Sequence, residues 1–203
     1  MQDTLKLRDS RVKMIAHRGV SGLERENTAA AFVAAGNRSY WGIETDVHRT
    51  QDGAYVIIHD DDTRRVADEN LPVEGSTLHQ LRTLTLKDMD GLPRQDLVLP
   101  LLPEYSRICR KYGKVSVLEL KNHFAPEQVA EILRGHKYEV ELTDVLRVKV
   151  PSRAGALANM LVDIAKEKIN LEYMYAFATG DGDEMIIRPS DVERTNELLS
   201  EYN

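Results

Sequence analysis

The feature that most constrains this chain is a change of rhythm near residue 135. Before it, short apolar runs alternate with helix-like segments, and the apolar runs end in ionisable residues. Val12 to Ala16 stops at His17-Arg18-Gly19. Thr28 to Ala35 reads as a helix, with Asn27 or Thr28 as cap and Gly36 as stop. Trp41–Val47 and Ala54–His59 read as strands joined by the tight turn Gln51-Asp52-Gly53. Helices follow over Ser76–Leu84 and Pro103–Tyr112, a strand over Val115–Leu120, and a helix over Pro126–Leu133 that opens on proline. Strands that alternate with helices predict a parallel α/β sheet.

The polar residues fall on those strand ends. His17-Arg18 closes the first strand, Glu44-x-Asp46 the second, His59-Asp60 the third and Glu119-x-Lys121 the fourth. Side chains two apart on a strand share a face, so Glu44 projects with Asp46, and Glu119 with Lys121. Ionisable residues at the carboxyl ends of parallel strands match the active-site edge of a β/α barrel. Glu44, Asp46 and Glu119 form an all-oxygen set suited to a hard divalent cation, Mg²⁺ or Ca²⁺. His17 and His59 titrate near neutrality and suit an acid/base pair. Arg18 and Lys121 suit an anionic oxygen. Cation, imidazoles and basic groups together describe a phosphate-ester hydrolase site.

The set His17-Arg18-Gly19, Glu26-Asn27-Thr28, Glu44-Thr45-Asp46-Val47, Asp52-Gly53, His59-Asp60 and Glu119-Leu120-Lys121 closely resembles the glycerophosphodiester phosphodiesterase family over residues 10–135. The resemblance implies Glu44, Asp46 and Glu119 as metal ligands, His17 and His59 as the acid/base pair, and Arg18 on the phosphate. It implies cleavage of a glycerophosphodiester to glycerol 3-phosphate and an alcohol, with the glycerol hydroxyl attacking phosphorus through a cyclic intermediate. Arg25 stands where the family usually carries proline, which should alter a loop and not the chemistry.

Length works against a whole barrel, which takes eight strands and about 250 residues. The chain has 203 residues. Residues 1–136 are therefore expected as a half of a β/α TIM-type barrel, and residues 137–203 as a small α+β domain. An open half-barrel exposes strand edges and an apolar face. Two chains completing one barrel, another element covering the gap, and a poorly folded half all stay open at this stage.

The last third reads as strand Asp144–Val150, turn Pro151-Ser152-Arg153-Ala154-Gly155, helix Ala156–Lys166 and strand Ile169–Phe177. A turn at Gly180–Asp183, a strand over Glu184–Arg188 and a helix from Ser190 or Asp191 to Leu199 complete it. The helix carries Leu157, Met160, Leu161, Ile164 and Ala165 on one side. This β-α-β-β-α order, with its Pro-x-x-x-Gly opening, resembles an ACT domain of ferredoxin-like fold, specifically the second unit of tandem-ACT proteins, without the usual last strand. Tyr138–Leu142 resembles the closing strand of a preceding unit and could fill the vacant place. The resemblance implies that Ser152, Arg153, Ala154 and Gly155 offer backbone amides to a small effector such as an amino acid, and that units pair into a homo-oligomer.

The remaining residues read more plainly. His48 and His79 are expected on the solvated surface, His123 in a loop, Asp60-Asp61-Asp62 as a solvated turn and Gly180–Glu184 as a hairpin turn. Tyr173, Tyr175 and Phe177 read as one packed sheet face, and Cys109 as a small core residue. A single cysteine allows no intrachain disulfide, so a reducing cytoplasm is expected. A net charge of −6, with −5 of it in residues 136–203, disfavours nucleic acid. No run approaches the roughly 18 apolar residues of a transmembrane segment, and no apolar signal region opens the chain. Two functions follow: a metal-dependent phosphodiesterase with a regulatory or dimerising segment, or a non-catalytic binding module that carries a phosphodiesterase remnant. A fusion of two truncated segments is a third reading.

Overall fold

A computed structural model describes residues 13–121, 125–135, 137–151, 153–179 and 182–200. The chain forms two compact units, residues 1–126 and 127–203.

In the first unit, β1 (Ile15–Ala16), β2 (Gly42–Arg49), β3 (Tyr55–Ile57) and β4 (Val115–Leu120) form one sheet. β1 runs parallel to β2, with Ile15 opposite Gly42. β4 runs parallel to β2 in a register from Gly42↔Val115 to Val47↔Leu120. β3 is antiparallel, with Val47 opposite Ile57 and Arg49 opposite Tyr55. The expectation of a wholly parallel sheet therefore fails at β3. A parallel crossover takes a dozen or more residues, and the short turn around Asp52-Gly53 permits only a hairpin. Gly53 sits at φ +82°, and Asp52 Oδ1 accepts from the Thr50 hydroxyl at 2.6 Å and the Leu78 amide at 3.0 Å. Three parallel strands, not four, correspond to those of a closed barrel.

α1 (Ala29–Gly36) and α3 (Leu102–Tyr112) pack beside β2. Thr28 caps α1, as its position before the alanine run predicts, and accepts from the Ala31 amide at 3.3 Å. Small residues let α1 approach α3: a Cβ on Gly36 would lie 2.5 Å from the Tyr112 ring. Phe32 meets Tyr105 edge-on, centroids 4.9 Å apart, and the Tyr105 hydroxyl donates to the Ile43 carbonyl at 2.6 Å. Cys109 is buried, as expected. α2 (Leu78–Arg82) is shorter than the predicted Ser76–Leu84, because the Thr77–Gln80 capping box starts it later. Around it, Val56, Ile58, Val66, Val73, Leu81, Leu86 and Leu99 form a separate core beneath long loops.

α4 (Pro126–Gly135) begins at the last residue of the first unit and otherwise belongs to the second unit, where it is followed by β5 (Leu146–Val150), α5 (Ala156–Lys166), β6 (Leu171–Thr179), β7 (Gly182–Pro189) and α6 (Val192–Leu199). Its sheet is antiparallel in the order β5-β7-β6. Val148, Val150, Met160, Ile164, Met185, Ile187 and Leu199 fill its core. Ala165, predicted on the packed side of α5, is exposed. Leu171, Tyr173 and Tyr175 are half-buried on one face of β6; the Phe177 side chain lies outside the described residues. Thr179 pairs with Gly182 at the hairpin; Gly180 and Asp181 lie outside the described residues, as do His123 and Ser152.

Tyr138–Leu142 is not a strand. The Tyr138 amide donates to the Leu133 carbonyl at 3.1 Å, and Arg134 takes the Val140 carbonyl at 3.1 Å. Lys137, at φ +62°, turns the chain off α4. These groups serve the helix end, and no sheet ladder forms.

Candidate metal and phosphate site

β2 is the interior strand of its sheet; every residue from Gly42 to His48 is buried, so both of its faces are covered, and alternation puts Glu44, Asp46 and His48 on one of them. All three are fully buried. This corrects the surface expectation for His48, which continues the inward row of the two carboxylates. Its Nε2 lies 3.2 Å from the His59 carbonyl oxygen. Glu44 and Asp46 sit within β2 and not at its end. β3 runs back along β2, and the Ile58 amide donates to the Asp46 carbonyl at 3.2 Å, which brings the backbone before His59 alongside the carboxylate-bearing stretch of β2.

The parallel register sets Asp46 directly beside Glu119. Glu44, Asp46 and Glu119 each offer a carboxylate oxygen within 4.8 Å of the others. Burial, and then the charge of Asp46, push the Glu44 carboxyl well above the ordinary range. Glu44 Oε2 accepts the Arg18 amide at 2.8 Å, while Oε1 is buried and accepts no hydrogen bond from the described residues. Lys121 Nζ stands 3.1 Å from Asp46 Oδ1 and also binds Glu119. Burial works against its charge, but the two carboxylates more than offset this and raise its pKa. Three close carboxylates with one ammonium and an unsatisfied buried oxygen suit a hard cation; the oxygen-only donor set fits Mg²⁺ or Ca²⁺ chemistry.

His17 and Arg18 follow β1 in a tight turn. Arg18 holds φ +51° and Gly19 φ +78°; a Cβ on Gly19 would sit 2.7 Å from Ala31. The His17 Nε2 lies 3.8 Å from Glu44 Oε2. Burial and the neighbouring Arg18 charge push its pKa down to about 4, so the ring is neutral at pH 7. Arg18 is buried, its Nε 3.3 Å from Asp46 Oδ2 and its Nη1 3.0 Å from Glu26 Oε1.

Other residues complete the site. Asn27, at φ +54°, donates to Asp46 Oδ2 at 2.8 Å and accepts from Thr45 Oγ1 at 2.8 Å. Glu26 accepts from both Arg18 and Arg65. Asp60 is half-buried with its Oδ1 2.6 Å from His59 Nδ1, and Asp62 is half-buried and accepts the Arg64 amide at 3.0 Å, so of the three only Asp61 is exposed as the solvated-turn reading expects. Placement of Glu26-Asn27 beside His17-Arg18 in the motif was the available signal for two of them; nothing local marked Arg65. Arg25 donates to the carbonyls of Lys87, at 2.6 Å, and Asp88, joining two loops.

In the second unit, Arg153, Ala154 and Gly155 form an exposed turn before α5, with Gly155 at φ +86°. The Arg153 amide donates to the Pro151 carbonyl at 2.7 Å and is thus occupied within the turn.

A carboxylate trio, two members of it fully buried, stands on adjacent parallel strands with the His17 imidazole 3.8 Å from Glu44. The glycerophosphoryl diester phosphodiesterase family model matches residues 17–187, and the chain belongs to that family. A putative glycerophosphodiester phosphodiesterase of Bacillus subtilis, YhdW, is 38% identical over 117 residues, which is 57% of this chain and 46% of that protein. Glycerophosphodiester phosphodiesterase 1 of Mus musculus is 34% identical over 121 residues, 59% of this chain and 36% of the mouse protein. The chain thus spans less than half the length of these relatives. An Oleispira antarctica phosphodiesterase, solved in complex with the product sn-glycerol-3-phosphate, is 31% identical with a TM-score of 0.54, covering 65% of this chain and 55% of that one. A glycerophosphodiester phosphodiesterase from Agrobacterium tumefaciens is 28% identical with a TM-score of 0.53, covering 61% and 53%. No described helix is long and apolar enough to cross a membrane.

Proposed function

We propose that this chain hydrolyses glycerophosphodiesters to glycerol 3-phosphate and an alcohol, with a divalent cation held by Glu44, Asp46 and Glu119. The observation that carries this reading is the convergence of three carboxylates within 4.8 Å, two of them fully buried. The cation, when bound, supplies Lewis-acid stabilisation of the phosphoryl oxygens. Arg18 and Lys121 orient the phosphate by charge-assisted hydrogen bonds. His17, neutral at pH 7, takes the proton of the attacking glycerol hydroxyl. As the P–O bond to the leaving alcohol breaks, His59 returns a proton to that alkoxide. Water then opens the cyclic phosphate with the imidazoles in reversed roles.

Residues 1–136 act in this reading as the catalytic part-barrel, and residues 137–203 as an ACT-like regulatory or dimerising segment. The β-α-β-β-α order and the β5-β7-β6 sheet support the latter. Amino acids are the effector class it would take at the turn of Arg153, Ala154 and Gly155. Among the described residues β4 pairs only with β2 and β5 only with β7, and such open edges support self-association. One observation favours the second reading, a binding module with a catalytic remnant: β4 carries exposed and half-buried side chains, Val115 being 41% exposed, where a closed barrel would cover them.

A coupled assay for glycerol 3-phosphate, run with Mg²⁺, with Ca²⁺ and with EDTA, tests the proposal. Cation-dependent release from glycerophosphocholine or glycerophosphoethanolamine is expected. A folded, cation-loaded protein that releases none, yet is stabilised by an amino acid, would favour the binding module.

A further inference from the structure

The structure assigns Arg65 a role that no sequence motif marked: we propose that it is a positioning residue whose one guanidinium holds both flanks of the cation site. Its Nη1 and Nη2 each lie 2.8 Å from an oxygen of Glu26. Its Nε lies 2.7 Å from Asp60 Oδ2, and Nη2 also reaches Asp60 Oδ1 at 3.2 Å. Glu26 in turn binds Arg18, which reaches Asp46. Asp60 in turn binds His59 Nδ1. A continuous chain therefore runs from Asp46 through Arg18, Glu26, Arg65 and Asp60 to His59.

The planar fork makes this bridge specific. An arginine can serve two carboxylates in fixed directions at once, whereas a lysine presents a point charge on a flexible stem. Burial opposes ionisation of Glu26, yet hydrogen bonds from Arg65 and the two guanidinium charges bring its pKa down to about 2. Glu26 and Asp60 thus stay charged and keep their other partners in place. Asp60 accepts from His59 Nδ1–H and so orients the ring: the imidazolium delivers its other proton from Nε2, and the neutral ring left behind keeps its proton on Nδ1. Carboxylates that orient a functional histidine in this way are themselves held by a second layer, and loss of such support costs about 10–100-fold in activity. Neighbouring Arg64 offers the contrast: it is 75% exposed and pairs only loosely with Asp62 at 3.5 Å.

This inference rests on the phosphodiesterase reading for its kinetic consequence and on geometry alone for its structural one, so the test reads both. In the full chain labelled with ¹⁵N-histidine, at a pH where the ring is neutral, wild-type His59 should carry its proton on Nδ1. Arg65→Ala should spread that proton between Nδ1 and Nε2, and Arg65→Lys should do so in part. Arg64→Ala should leave the ring as in wild type. With cation and glycerophosphocholine, Arg65→Ala should lower kcat about 10–100-fold with little change in KM, and its penalty should shrink in a His59→Ala background. A folded Arg65→Ala or Arg65→Lys protein whose His59 keeps the Nδ1 proton overturns the proposal, whatever its turnover. Absence of turnover in wild type, with the tautomer shift intact, overturns the hydrolase reading and leaves the positioning role standing.

Discussion

The two units bury different things. The first encloses Glu44, Asp46, His48 and Arg18 in and around one strand. The second encloses aliphatic side chains, and its buried charge, Glu184, is paired with Arg147. Buried ionisable groups oppose folding unless well paired, whereas buried hydrocarbon drives it. In the first unit Arg18 and Lys121 offset part of the carboxylate charge, while Glu44 Oε1 is left without a hydrogen-bond partner among the described residues; the second unit is ordinary amphipathic packing. That contrast separates a reactive region from a scaffold without reference to any relative.

The sharpest way to break the comparison is Glu44→Gln. Activity should fall by at least ~10³-fold through loss of a cation ligand, while the cation-free protein melts at the same temperature or higher. Retained turnover, or a steep drop in melting temperature, would show that Glu44 is a structural group. Cation addition should do the reverse of the mutation: at about 100 times Kd it should stabilise the folded protein by ~2.7 kcal/mol, read as a shift in urea midpoint. EDTA should erase both that shift and the turnover.

Met160→Ala probes the other side. It is fully buried in the second unit, and truncation should cost ~2–5 kcal/mol in chemical denaturation. A cost below ~1 kcal/mol would mean that this core is not well packed.

Acid titration separates the two kinds of burial. Glu26 has a folded pKa of about 2 against an ordinary 4.5. A depressed carboxyl contributes its stability above pH 4.5 and loses it as pH falls from there towards 2. Glu26→Gln should therefore destabilise by ~1–3 kcal/mol at pH 7 and by nothing measurable near pH 2. In turnover, the acid limb set by His17 should lie near pH 4 and not near the ordinary histidine value of 6.5; a limb at 6.5 would remove His17 from the role of base. The smallest effect belongs to Arg194→Ala, which breaks an exposed pair with Glu167 and should cost under ~1 kcal/mol.

Much of this was legible in residue order because short-range rules govern it. Alternation on a strand put Glu44 with Asp46, the threonine before an alanine run capped α1, and Val115–Leu120 and Ala156–Lys166 appear with the boundaries their patterns predict. The same alternation should have turned His48 inward; the residue type outweighed the pattern. The brevity of the Asp52-Gly53 turn likewise pointed to an antiparallel β3, against the parallel expectation.

The amino-acid sequence determined which groups could meet a cation and a phosphate, because periodicity and turn chemistry act over a few residues. Only the tertiary structure decided that Arg65 stands between Glu26 and Asp60, that the backbone before His59 returns alongside Asp46, and that Tyr138–Leu142 serves a helix end. Those contacts join residues distant in the chain or choose among competing partners, and that choice is made by the free energy of the whole packed unit.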